Sequence, residues 1–109
     1  MLGQLEKEGF GVLTEIDVQA TLKKKLDVDF TPYKIRGACN PNFAYQALQI
    51  EPHIGTMLPC NVILRELSEG SIEVSAVDPV ITMQAIYNPE LRPIAEQVRD
   101  RLKKVISSL

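Results

Sequence analysis

Leu58-Pro59-Cys60-Asn61-Val62-Ile63-Leu64-Arg65-Glu66-Leu67 runs into Ser68-Glu69-Gly70 and out again through Ser71-Ile72-Glu73-Val74-Ser75-Ala76-Val77. Two β-branched runs on either side of a polar, glycine-containing break read as a β-hairpin, and the alternation Ile72, Val74, Ala76 says that one face of the second strand is buried. A local antiparallel pair is therefore the strongest strand signal in the chain. Everything else is read around it.

Upstream, Phe10, Val12, Leu13 and Ile16 form a short strand, and Tyr33 to Cys39 a weaker one in which Gly37 lowers the propensity. Before the first strand, Leu2 and Leu5 among polar residues read as the end of an amphipathic helix stopped by Gly9 in a left-handed cap. After it, Asp17 is placed to cap a helix whose Val18, Leu22 and Leu26 recur every four residues. Asn40-Pro41, Asp78-Pro79 and Asn88-Pro89 are helix starts, since the short polar side chain accepts from free N–H groups and proline at the first helical position wastes no donor. The first opens a helix with Phe43, Ala44, Ala47 and Leu48 on one side. The last opens a long C-terminal helix whose Leu91, Ile94, Ala95, Val98, Leu102, Val105, Ile106 and Leu109 make one apolar stripe. These elements together predict an α+β fold, helices packed on one face of a mostly antiparallel sheet.

The 109 residues suit a single domain spanning 1–109. Twelve basic against fourteen acidic side chains leave a net charge of −2, which gives no field for a polyanion, so nucleic acid is not an expected partner. The one basic run, Lys23-Lys24-Lys25, reads as a solvated helix face. Neither a membrane-length apolar run nor a secretory leader is visible, so no membrane partner is expected, and the cytoplasm, which keeps the two cysteines reduced, is the expected address.

The chemistry-bearing residues are Cys39, Cys60 and the lone His53, with Asn40 beside the first. Cys39 ends a strand just ahead of a helix N-terminus, a position that favours thiolate, while Asn40 is the expected cap of that helix. Cys60 begins an apolar strand. A Cys-His nucleophile pair would need His53 within hydrogen-bond reach of either thiol, and a metal site built from two Cys and one His would be one ligand short within a single chain. Two functional readings follow. One is a small ligand or metal held at a cysteine-lined site of Cys39, Asn40, Cys60 and His53. The other is a non-catalytic interaction or dimerisation module whose cysteines are structural.

The order Gly9-Phe10-Gly11-Val12, Ala38-Cys39-Asn40-Pro41, Leu58-Pro59-Cys60-Asn61-Val62, then Asp78-Pro79 with Met83 soon after, resembles the bacterial and archaeal domain of unknown function 302 family over essentially the whole chain. The resemblance implies an α+β fold and a dimer, carries over Cys39, Asn40, Pro41, Pro59 and Cys60 as candidate positions, and implies no activity. Members of that family begin with a strand and most of a helix ahead of the Gly-Phe-Gly-Val segment. Here only the last turns of that helix stand before it: either the start codon was placed late or this member has lost an edge strand, and the second case would leave an open sheet edge, which raises the expectation of self-association as a homodimer.

Overall fold

A computed structural model describes residues 2–109; Met1 and the side chain of Leu2 lie outside the described residues. The elements run α1 (Leu2–Lys7), β1 (Gly11–Asp17), α2 (Val18–Leu26), β2 (Tyr33–Cys39), α3 (Pro41–Ile50), β3 (Cys60–Glu66), β4 (Ile72–Ala76), α4 (Pro79–Thr82) and α5 (Arg92–Ser107). Short 3-10 turns at Pro52–Met57, Met83–Ala85 and Pro89–Leu91 join them. The strands form one four-stranded sheet in sequence order, every neighbouring pair antiparallel. The fold is α+β, as the hairpin and the helical stripes predict.

Local chemistry sets most boundaries. Gly9 takes φ 85° after α1, and the N–H groups of Phe10 and Gly9 return to the carbonyls of Leu5 and Glu6 at 2.9 and 3.0 Å. That is a Schellman closure, and its two apolar ends, Leu5 and Phe10, are both buried. Asp17 Oδ1 accepts from Ala20 N–H at 3.0 Å and Asp78 Oδ1 from Val80 N–H at 2.9 Å, each satisfying a free donor of the first turn. Asn88 does the same for Glu90 N–H at 3.1 Å, with a 3-10 turn between this cap and α5.

Register decides which residues share a face. Val12 stands opposite Ala38 and Ala38 opposite Cys60, while Val62 faces Ala76 and Leu64 faces Val74. Because side chains alternate along each strand, this set lies on one side of the sheet, and all of it but Leu64 meets α1, α3, α4 and α5 in one hydrophobic cluster. Ile94, Ala95, Val98, Leu102 and Val105 of α5 are buried there. Leu109, at the end of the expected stripe, is 55% exposed because α5 ends at Ser107 and leaves it beyond the helix.

Two expectations are corrected. α2 forms and is capped as expected, yet it buries no residue, and Leu26 is 66% exposed. It sits within the β1–β2 connection, where it touches those two strands and leaves Val18 and Leu22 only half-buried. In α3, Phe43 and Ala47 are buried but Leu48 is 41% exposed, because the helix turns a narrower face to the core than the four residues suggested. Among the described residues no helix is long and apolar enough to cross a membrane.

The other face of the sheet carries no helix of the core cluster. Ile16, Ile35, Ile63 and Ser75 lie in one row across β1 to β4, each directly opposite the next. Ile16 is 49% exposed; Ile35 and Ile63 are half-buried. Beside that row, Gly37 is buried without a helix above it, since a Cβ there would collide with Thr14 Oγ1 and Pro59 Cγ. Only glycine lets those two neighbours close over the strand.

Candidate functional site

Three of the four candidate residues converge. Cys39 closes β2, Asn40 follows it at the start of α3, and Cys60 opens β3 directly across from Ala38. They border a narrow cleft of about 20 Å³ shared with Phe10, Phe43, Leu58 and Pro59. A water needs roughly 10 to 15 Å³ of such space, so the cleft has room for one water and not for an organic ligand.

His53 lies elsewhere. Its side chain is 86% exposed, and its Nδ1 sits 3.2 Å from Glu51 Oε2. The same carboxylate accepts from the His53 backbone N–H, which with Asn88 nearby holds the Glu51 carboxyl below its ordinary range. A turn that closes on Glu51 thus aims His53 at solvent rather than at a thiol. Among the described residues, no three Cys, His, Asp or Glu side chains gather as a metal-binding group.

The thiols differ from the expected pair. Burial pushes Cys39 above its ordinary value, opposite to the lowering expected at a helix N-terminus. The physical reason is position: Cys39 is a strand residue, ahead of the cap and outside the first turn to which the dipole effect is confined. Burial also pushes Cys60 up to about 11, with the neighbouring Cys39 adding to it. Both cysteines are free thiols. Since Cys60 pairs with Ala38, the pleat directs Cys39, one residue further on, toward the opposite side of the sheet.

Asn40 is not the side-chain cap expected of it. Its backbone occupies the N-cap position of α3, but its amide makes no capping bond there. Nδ2 instead donates to the Glu8 carbonyl at 3.1 Å, reaching back to the turn after α1, where Gly9 leaves just enough room for it. Arg101 Nη1 of α5 donates to the same carbonyl at 3.3 Å, and the Arg101 guanidinium stands 5.3 Å over the Phe43 ring. One backbone oxygen thereby joins α1, α3 and α5. The motif Cys39-Asn40-Pro41 reads in three dimensions as a structural lock beside a buried thiol.

Among the larger concavities away from the cysteines, two border α5. One of about 230 Å³ is lined by Val80, Met83, Ile86, Tyr87, Leu91 and Arg92. The other, about 650 Å³, runs between the end of β4 and the C-terminal half of α5. Sequence reading singled out neither. The only linear signal for the second was the Lys103-Lys104 pair, which reads equally as a favourable charge at a helix C-terminus.

A four-stranded antiparallel meander covered on one side by helices, with cysteines at adjacent strand ends, defines an α+β domain class rather than an active-site class. The family model described as domain of unknown function DUF302 matches residues 2–109, and the chain belongs to that family. It is similar to the crystal structure of an uncharacterized conserved protein DUF302 from Bacillus stearothermophilus, with 29% sequence identity and a TM-score of 0.88. That match covers 97% of this chain and 82% of the other. No curated protein matches the chain.

Proposed function

We propose that this chain is a single, non-catalytic interaction domain that forms a homodimer through the open face of its sheet, with Cys39 and Cys60 serving as packing residues. The observation that carries it is the row Ile16, Ile35 and Ile63, a band of apolar side chains outside the core cluster, with Ile16 49% exposed and the other two half-buried. A sheet buries both faces or solvates one, and a solvated face is ordinarily polar at such positions.

The surroundings of the row favour a second copy as the cover. Arg65 and Glu73 stand opposite one another next to it, Nε to Oε1 at 2.6 Å, so the rim carries both signs and a two-fold partner can match each with its opposite. The raised thiols and the one-water cleft weigh against ligand capture between Cys39 and Cys60. Two unpaired cysteines suit a reducing, cytoplasmic setting.

Light scattering on size-fractionated protein, wild type beside Ile35→Lys, tests the reading. The expected result is a dimer for the wild type and a monomer with unchanged far-UV circular dichroism for the variant. A monomeric wild type at its highest soluble concentration, or a variant that stays dimeric, overturns it.

A further inference from the structure

The outer edge of β4 has donors and acceptors that the sheet does not use. In the β3–β4 pair, Leu67 N–H donates to the Ser71 carbonyl and Val77 N–H to the Asn61 carbonyl, which fixes the phase of the ladder. In an antiparallel pair the bonded positions alternate, so Glu73 and Ser75 bond back to β3 while Ile72, Val74 and Ala76 turn their N–H and C=O groups outward. β4 ends the strand order, and among the described residues no other strand meets those groups.

A groove adjoins this edge. Its walls are Ala76 and Val77 on the strand side and Leu102 and Ile106 on α5, and it measures about 650 Å³. One strand residue fills roughly 160 Å³, from a rise of about 3.3 Å, a strand spacing of about 4.8 Å and a layer depth of about 10 Å. The groove therefore holds about four residues of extended chain, and it meets the edge at Ala76, the last of the three outward-facing residues, so a strand paired along Ile72 and Val74 runs on into it.

Charge selects what enters. Lys103 and Lys104 on the rim are exposed and form no ion pair among the described residues, and Arg99 pairs only with its neighbour Asp100. The one acidic side chain on the rim, Asp78, is occupied in capping α4.

We propose that the β4 edge and the basic groove of α5 take up an extended, acidic segment of a partner protein as an added strand. Backbone bonds to Ile72, Val74 and Ala76 supply the pairing; alternate apolar residues face Leu102 and Ile106, and Asp or Glu side chains meet the lysines. The three isoleucines of the open face belong to β1, β2 and β3, whereas the pairing groups here belong to β4, so the proposal is argued independently of the dimer.

The test is an NMR titration of the full chain with a peptide alternating valine and glutamate, beside one alternating valine and lysine. The acidic peptide is expected to slow exchange at the Ile72, Val74 and Ala76 amides, with affinity about tenfold weaker in the exposed double variant Lys103→Glu/Lys104→Glu. Val74→Pro is a second variant; edge strands accept proline where the N–H faces solvent, and here it should abolish binding while leaving the β3 pairing intact. Equal binding of the lysine peptide, no binding of the acidic one, or edge amides already protected in the free protein would each overturn the proposal.

Discussion

The two faces of the sheet are built from the same strands and the same residue types, yet they do opposite work. On the covered face Ala38, Cys60 and Val62 are almost wholly buried under α3 and α5. On the open face Ile16, Ile35 and Ile63 form an apolar row that takes no part in the core cluster. Alternation along a strand sorts residues into two sets, but it does not say which set receives a layer. That depends on where the connections run, and here the helices that cover the sheet all pass on one side.

The comparison breaks most sharply with a pair of truncations. Leu102→Ala empties a buried site against the covered face and is expected to cost about 3 kcal/mol, whereas Ile16→Ala on the open face should cost under about 1 kcal/mol in the isolated subunit. Urea unfolding of both variants checks this. A larger loss at Ile16 would mean that the open face is part of the folded subunit's core.

Next in size is the alkaline limb of stability. Cys60, on the covered face, keeps its proton up to about pH 11 when folded, against an ordinary value of 9.0. Below the ordinary value both states are protonated and the preference of the folded state for the neutral thiol is fully present. As pH rises through the interval the unfolded chain ionises first, so about 2 kcal/mol is lost by pH ~10.5. Wild type and Cys60→Ala, compared by urea melts at pH 8 and ~10.5, should converge by that amount. Cys39→Ala should show the same sign and a smaller change, and parallel curves for the two proteins would count against a buried Cys60 thiol.

The smallest effect concerns α2, the helix that received no layer. Asp17→Ala removes its cap and should destabilise the helix by about 1 kcal/mol, seen as faster amide exchange from Val18 to Leu26. Global unfolding should barely change, because no residue of α2 is buried. A full 1 kcal/mol in global stability would show that α2 folds with the core.

Much of the architecture was legible because its causes are local. The hairpin around Gly70, the closure at Gly9 and the caps at Asp17 and Asp78 each depend on residues a few positions apart. The α5 stripe was legible because a helix with one apolar side announces the side it buries. The candidate site was legible only in part: sequence named Cys39, Asn40 and Cys60, which do converge, but assigned Asn40 a capping bond and Cys39 a lowered pKa. Asn40 reaches the Glu8 carbonyl, a group 32 positions away, and burial by distant elements raises both thiols. His53 carried no signal that its turn would close on Glu51.

By itself, then, the sequence determined the elements, their order and the α+β class, because turn chemistry and periodicity act within a few residues. Only the tertiary structure decided which face of the sheet lies outside the core cluster, that α2 buries no residue, that Cys39 and Cys60 border a cleft with room for one water, and that the β4 edge opens beside three basic side chains. Each of these depends on what lies beyond a residue's own neighbours, and desolvation and strand pairing are set by chain segments that meet only on folding.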